Sequence, residues 1–419
     1  MSKGKNLLIL TTHSPDSFSP AGERVRFTAL ASGKFFERTT IVTLDRSKKQ
    51  INSQVTPNGN VWIRRINFSR AMPYPFLALF DPMQFFVLLF HGFAECVRDN
   101  PAFIIASMPP LETGLASWVL AKLFHTRLVV DLRDDWELAT RSQLRRFFPV
   151  SFFRLLSTIA ERLYSSTVVM FAVTQIISDS IHGRGVKQPI LLVPNGADTS
   201  IFRPLGVGAR TTARIDGRLP RDKIIVIYCG SGDNPYYRLD TVLASVSLLP
   251  EHVRRRLFFV FYVYNGQKYL NQLRHRFDIP QDTVEVRDPI PRRQLASILP
   301  ACDVGLVPFD SKPYLSCARS TKMYEYLSCG LYVVSSGPRN GELDSFFHVN
   351  PNLGSFTWPA PSDFAQAFTS IGLQAEKQLD EPSRRMRYEF IRMNYDRRTL
   401  MKKALSALFT QTAPTNEEV

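Results

Sequence analysis

The sequence predicts an α/β protein of two tandem domains, each a parallel sheet with crossover helices. Three observations predict it. Short β-rich runs alternate with helical stretches through the first half. The same alternation restarts after Phe202-Arg-Pro. A length of 419 residues is that of two ordinary domains rather than one.

Leu7–Thr11 is a short apolar run, and Val25–Phe36 reads as a helix. Thr39–Leu44 and Val61–Ile66 follow as strands. Phe103–Ala106 and Leu128–Asp131 are two more, separated by the helical stretch Gly114–Phe124, and Thr167–Val173 and Ile190–Val193 close the half. The Gly/Arg/Thr-rich stretch up to Asp222 reads as a linker or loop. Ile224–Tyr228 is a fresh strand running into Gly230-Ser-Gly, and Leu239–Leu249 is a helix. Leu257–Tyr264, Val284–Val286, Val304–Val307 and Leu331–Ser335 are the further strands, with helices Arg292–Leu299 and Thr321–Ser328 among them. Phe364 to Phe409 is mostly helical, and Gln411 to Val419 reads as a frayed tail.

Composition narrows the class. Hydrophobic residues at 44% and charged ones at 21% let each half bury a core. The five cysteines are widely spaced with no C-x-x-C pair, which argues against a disulfide framework or a zinc site and for a reducing compartment. The run Leu7 to Leu10 behind Met1-Ser-Lys-Gly-Lys is too short for the apolar core of a signal peptide, so secretion is not expected. Asp81, His91 and Glu95 interrupt the most apolar stretch, Tyr74 to Val97, so no segment is expected to span a membrane. A formal charge of +15 draws the chain toward polyanions: nucleic acid, anionic lipid or phosphorylated small molecules.

Several chemistries lose ground together. The seven histidines show no H-x-H or H-E-x-x-H spacing, so no metal site is expected. There is no G-x-S-x-G elbow, no G-x-x-x-x-G-K-[ST] loop, and no G-x-G-x-x-G after the first strand.

Four signals remain. The first is the loop Ser14-Pro-Asp-Ser-Phe-Ser-Pro-Ala-Gly-Glu-Arg-Val-Arg. Gly22 allows close backbone approach to a ligand, the following helix start offers N–H groups to phosphate, and Arg24 and Arg26 add charge; an ordinary strand-to-helix turn reads the same way. The second is Val129-Val-Asp-Leu-Arg-Asp-Asp-Trp-Glu, where an apolar strand ends in charge. Arg133 and Asp134 there suit acceptor-hydroxyl binding or base work, while Asp134 or Asp135 could instead cap the next helix. The third is Val193-Pro-Asn-Gly-Ala-Asp, a turn at the apparent domain boundary that includes Asn195. The fourth is Ala318-Arg-Ser-Thr-Lys-Met-Tyr-Glu-Tyr-Leu-Ser-Cys-Gly. Ser320 or Thr321 caps a helix whose N-terminus can receive a diphosphate, Lys322 adds a mobile charge, and Glu325 can accept hydrogen bonds from a ribose diol. A plain amphipathic helix has the same pattern.

With these motifs in view, the chain resembles a GT-B-fold glycosyltransferase of the large retaining family 4. The matching pieces are Val130-Asp-Leu-Arg-Asp-Asp-Trp, Val193-Pro-Asn-Gly-Ala-Asp with Phe202-Arg-Pro, Ile227-Tyr-Cys-Gly, Leu299-Pro-Ala-Cys-Asp-Val-Gly-Leu-Val-Pro-Phe and Ser320-Thr-Lys-Met-Tyr-Glu-Tyr-Leu-Ser-Cys-Gly. The resemblance runs from about residue 5 to residue 400. It implies two Rossmann-like domains facing a central cleft. An acceptor-binding domain would span 1–200, a nucleotide-sugar-binding domain 201–385, and a helix at 386–410 would pack back on the first domain.

It also implies a UDP- or GDP-sugar donor with no metal and no other cofactor. Glu325 matches the glutamate that holds the nucleotide ribose. The base would lie beside the backbone near Arg287 and Asp288, and Arg133 or Asp134 would meet the reacting sugar. Two positions depart from the family pattern. Cys317 stands where a second glutamate is common, and after Gly230 only Arg238 is offered to the diphosphate. Diphosphate binding then rests on Lys322, Arg319 and the helix N-terminus.

The positive charge has a second destination. Arg141, Arg145, Arg146, Arg154 and Arg162 are interleaved with Phe147, Phe148, Phe152 and Phe153, and Tyr74 to Phe93 is aromatic-rich. That mixture suits the headgroup region of an anionic membrane; a core edge with a solvated face is the alternative. Nucleic acid is not an expected partner, because no recognised module is present. The expected protein is a cytoplasmic, peripheral enzyme transferring a sugar to a lipid- or polysaccharide-linked acceptor in envelope polysaccharide synthesis. A GT-B-fold sugar-nucleotide epimerase or hydrolase, and a catalytically silent binding protein, are the alternatives.

Overall fold

The computed structural model describes residues 6–16, 19–45, 59–68 and 80–411. Ser17 and Phe18 of the first loop, Tyr74–Leu79 of the aromatic stretch and the tail from 412 lie outside the described residues. The chain divides into two compact units, Met1–Pro194 with Arg398–Val419, and Asn195–Arg397.

In the first unit the elements run β1 (Asn6–Thr11), α1 (Pro20–Ser32), β2 (Arg38–Asp45), β3 (Val61–Asn67), α2 (Pro82–Asp99), β4 (Phe103–Met108), α3 (Leu111–Leu123), β5 (Arg127–Leu132), α4 (Trp136–Leu144), α5 (Val150–Ser165), β6 (Val169–Ala172), α6 (Gln175–His182) and β7 (Ile190–Leu192). The seven strands are parallel in the order β3-β2-β1-β4-β5-β6-β7. Central strands such as Phe103–Met108 are buried at every position, which is why they read as continuous apolar runs rather than as an alternation. Helix α1 starts five residues before the expected Val25. Ser19 caps it by accepting the Gly22 N–H at 3.1 Å, and Pro20 occupies the first turn without loss of a donor.

One buried pair ties the first unit's sheet together. Arg24 on α1 donates from Nε to both carboxylate oxygens of Asp131 on β5, at 2.9 and 2.8 Å, and from Nη1 to the Val193 carbonyl at 2.8 Å. Both residues are almost wholly buried. Arg24, read from the sequence as charge for a ligand, is thus spent inside the unit.

The second unit runs α7 (Val207–Asp216), β8 (Ile224–Gly230), α8 (Leu239–Ser247), α9 (Glu251–Arg254), β9 (Leu257–Val263), α10 (Gln267–Arg276), β10 (Val284–Arg287), α11 (Arg292–Ile298), β11 (Val304–Pro308), α12 (Thr321–Ser328), β12 (Tyr332–Ser336), α13 (Glu342–Val349), β13 (Gly354–Thr357), α14 (Pro361–Gln378) and α15 (Glu381–Asn394). Its six parallel strands take the order β10-β9-β8-β11-β12-β13. Counted within the unit this is 3-2-1-4-5-6, a doubly wound sheet whose order reverses between β8 and β11.

Helix α7 and strand β13 are among the elements that depart from the sequence reading. The stretch expected as a linker holds helix α7. Its composition is polar because arginines, not an apolar face, anchor it: Arg214 donates to the carbonyls of Ala301, Arg221 and Lys223 and to Asp303. The edge strand β13 was not expected either, since Gly354-Ser-Phe-Thr has no apolar run; pairing with β12 makes it a strand.

Helix α16 (Arg397–Gln411) follows, and from Arg398 onward it belongs to the first unit. Met401, Leu405 and Leu408 are fully buried in the core formed with Phe27, Phe36 and Phe103. Burial of each contributes roughly 1.5–3 kcal/mol, so α16 is an integral part of the first unit.

Asp131→Ala removes the carboxylate and leaves the Arg24 guanidinium charged and buried. A loss of about 3–5 kcal/mol from the first unit's stability is expected, measured by denaturant unfolding. A loss under about 1 kcal/mol would mean the pair does not hold this sheet.

Candidate functional site

In a doubly wound sheet the carboxyl ends of the strands flanking the reversal form the ligand crevice. In the second unit those ends are Gly230 on β8 and Pro308 on β11. Helix α12 reaches the same place because Gly305 on β11 lacks a side chain. A Cβ there would lie 2.3 Å from the Tyr326 ring. Tyr326 in turn accepts the Cys229 N–H through its hydroxyl at 3.0 Å. Burial pushes the Tyr326 phenol well above its ordinary range, so it stays neutral.

The start of α12 carries the charge. Ser320 is the N-cap residue, but its hydroxyl makes no capping bond. Among the described residues, the N–H groups of Thr321 and Lys322 have no partner. The Lys322 ammonium lies 3.9 Å from the Tyr237 ring centre and 5.0 Å from that of Tyr228. It packs against Gly230, whose φ of 155° no other residue adopts readily. Among the described residues no carboxylate pairs with Lys322. A cation beside free helix N–H groups has the chemistry to receive an anion.

The other candidate cations nearby are already matched. Arg238 pairs with Asp240 at 3.0 Å and with Asp310 at 3.6 Å. Arg319 pairs with Glu342 at 2.7 Å and lies over the Phe346 ring. Arg287 pairs with Glu285 at 2.6 Å and donates to the carbonyls of Gly217 and Arg218 and to the Tyr262 hydroxyl. Asp288 accepts from Gln267 at 3.4 Å. Asn195 donates to the Arg319 carbonyl at 3.3 Å, so the Asn-Gly turn braces the chain just before α12. Cys317 is buried, its thiol 3.5 Å from the Tyr314 carbonyl.

Glu325 is 7% exposed and accepts from Arg292 Nη2 through Oε1 at 2.8 Å. Arg292 was missed in the sequence because Pro291-Arg-Arg-Gln reads only as a helix start. The unit thus brings together Gly230, Ser320, Thr321, Lys322 and Glu325, with Arg319 and Asn195 behind them, and puts Arg287 and Arg238 to other uses.

In the first unit, Gly22 lies within the first turn of α1, its N–H already bound to Ser19. Arg133 is mostly buried, donating to the carbonyls of Met108 and, in a short contact, Pro109. Of the acidic cluster, Asp131 is held by Arg24, Asp135 caps α4 by accepting from Leu138 at 3.0 Å, and Glu137 pairs with Arg184 at 2.7 Å. That leaves Asp134 exposed, with no hydrogen bond or ion pair among the described residues.

No family model matches this chain, and no curated sequence relative matches it. Solved structures do. Sucrose-phosphate synthase from Thermosynechococcus elongatus superposes with a TM-score of 0.74 at 16% identity, over 97% of this chain and 98% of that one. HepE of Anabaena, in complex with UDP and glucose, gives 0.67 at 13% identity, over 97% and 100%. A protein assigned as a UDP-N-acetylglucosamine 2-epimerase from Listeria monocytogenes gives 0.59 at 12%, over 99% and 100%. At these identities the likeness shows the fold, which is GT-B.

Gly230→Ala places a methyl group 2.8 Å from Lys322 Cε and 3.0 Å from the Tyr228 hydroxyl, at a backbone angle alanine resists. Destabilisation by about 1–3 kcal/mol is expected in denaturant unfolding. An unchanged midpoint would show that Lys322 is not seated on this turn.

Proposed function

We propose that the chain is a glycosyltransferase that moves a sugar from a UDP- or GDP-sugar to a lipid- or polysaccharide-linked acceptor, with retention of configuration. The observation that carries this reading is Lys322, a cation without a carboxylate partner among the described residues, at the strand end beside the open N-terminus of α12. That place takes the donor diphosphate. Negative charge grows on the diphosphate as the glycosidic bond breaks, and the ammonium and the helix N–H groups stabilise it without a metal. Glu325 stands one helical turn further on, where it accepts from the ribose hydroxyls. The backbone near Arg287 and Asp288 receives the base. Within the first unit, Arg133, fixed by two carbonyls, and the unpaired Asp134 are the residues suited to acceptor-hydroxyl binding or base work.

HepE of Anabaena was solved with UDP and glucose, which supports a nucleotide-sugar donor for this fold. The Listeria protein supports a second reading, a sugar-nucleotide epimerase or hydrolase, which would turn over donor without acceptor. A silent binding protein would hold the donor and turn over nothing.

Calorimetry with UDP- and GDP-sugars tests what the three readings share, and turnover with and without acceptor separates them. Lys322→Gln is expected to weaken binding by about 1–3 kcal/mol, and Glu325→Ala by about 1.5–3 kcal/mol. Absence of binding to the wild-type protein would sink the transferase, the epimerase or hydrolase and the silent binder together. Affinity unchanged in a folded Lys322→Gln variant would move the diphosphate elsewhere.

The acceptor reading places the enzyme on the cytoplasmic surface of a membrane. Among the described residues no helix is long and apolar enough to cross one. Helix α2 instead turns Met83, Phe86, Phe90, Phe93 and Val97 outward, at spacings of three and four, while Gln84, Leu88, Glu95 and Cys96 face inward. Arg141, Arg145, Arg146, Arg154 and Arg162 are all exposed on α4, α5 and the turn between them. An apolar stripe and exposed arginines on helices of the same unit fit an anionic interface. Co-sedimentation with phosphatidylglycerol vesicles is expected to fall for Phe86→Ser with Phe90→Ser, and for Arg145→Glu with Arg146→Glu. Wild-type recovery by both variants would dispose of this docking surface.

A further inference from the structure

The turn around Phe202 and the start of α11 have no role in the donor contacts above, yet both converge on Glu325. Arg292, the first residue of α11, donates from Nη2 to Glu325 Oε1 at 2.8 Å, with both side chains largely buried. The same guanidinium lies 4.9 Å from the centre of the Phe202 ring, which is fully buried. The Phe202 carbonyl accepts a short hydrogen bond from the Ser328 hydroxyl, and Ser328 is on α12, three residues beyond Glu325. Phe202, Arg292, Glu325 and Ser328 therefore form a closed ring of contacts that begins and ends on one helix.

We propose that Arg292, seated on Phe202, is a positioning residue that sets the nucleotide specificity of the site by fixing the Glu325 carboxylate for a ribose. The inference rests on the donor-site reading above. A glutamate has three rotatable bonds, and its hydrogen bond to a sugar hydroxyl is worth most when those bonds are already set. The Arg292 contact fixes Oε1, which leaves Oε2 to accept from the ribose. The planar fork of arginine suits this task, since it can lie flat on an aromatic face while its edge meets a carboxylate; lysine offers only a point charge. The closed ring then converts the position of α12, which also carries Lys322, into a fixed distance between the diphosphate and ribose contacts. The chemical consequence is preference for a ribonucleotide over one lacking the 2′ and 3′ hydroxyls.

The experiment is calorimetric titration of UDP and GDP, each beside its 2′,3′-dideoxy counterpart, into the full chain. Wild type, Arg292→Gln, Arg292→Lys, Phe202→Leu and Glu325→Gln are compared, each checked for folding by thermal unfolding. Wild type is expected to favour the ribonucleotide on the order of tenfold or more. Arg292→Gln is expected to bring that ratio close to one while dideoxynucleotide affinity stays near wild type, with Arg292→Lys and Phe202→Leu in between. A merely structural role for Arg292 would lower both affinities together, and that result would overturn the proposal. So would a wild-type ratio in folded Arg292→Gln or, should it not fold, in Arg292→Lys or Phe202→Leu. If Glu325→Gln loses the preference while the Arg292 and Phe202 variants keep it, the positioning role fails and the ribose contact stands. If wild type and Glu325→Gln show no preference, the assignment of Glu325 to the ribose fails, and the positioning role with it.

Discussion

The second unit's candidate site depends on how closely α12 can lie against its sheet. Gly305 leaves the space that the Tyr326 ring fills, and the Tyr326 hydroxyl holds the end of β8 through the Cys229 N–H. With the helix seated, Lys322 lies over Tyr237 and Tyr228 and against Gly230, while Glu325 meets Arg292. A larger residue at position 305 would lift the helix and separate all of these at once, because interiors this dense transmit a displacement rather than absorb it. The site is thus a consequence of packing before it is one of charge.

Charge is distributed in a way that net charge hides. The excess of +15 suggests a surface crowded with free cations. Yet several arginines are structural bolts. Arg384 donates to the carbonyls of Pro300, Cys302 and Cys329, and Arg387 to those of Gly330, Asn352 and Gln378. Burial pushes both guanidinium groups down to about 10, still far above neutral pH, so they remain charged and bind α15 to loops whose carbonyls have few other donors. Arg24 and Arg214 serve similarly at other joints. An attraction for anions has to be argued from cations left without such partners.

The alternation of strands and helices was legible because a parallel sheet covered on both faces needs runs like Phe103–Met108 and Leu257–Val263, and few other structures do. The α12 motif was legible too, since a Ser-Thr-Lys start and a glutamate one turn on have fixed relative positions on any helix. What sequence could not show was partnership across distance. Nothing near Arg24 names Asp131, 107 residues on, and nothing near Arg238 distinguishes a ligand-binding arginine from one matched by Asp240 and Asp310. Helix α7 and strand β13 were hidden for the same reason: Arg214 and the edge of β12, not local propensity, make them what they are.

The residue type at position 322 follows from these partnerships. An arginine there would bring a five-donor fork into a region where Arg238 already shows what such forks find, carboxylates at positions 240 and 310. A lysine presents a compact ammonium that tyrosine faces can hold, and ring quadrupoles attract a cation without neutralising it. The charge is steadied in place, with no carboxylate among the described residues to neutralise it. Holding a cation ready in this way requires aromatic neighbours in place of acidic ones, and Tyr228 and Tyr237 supply them.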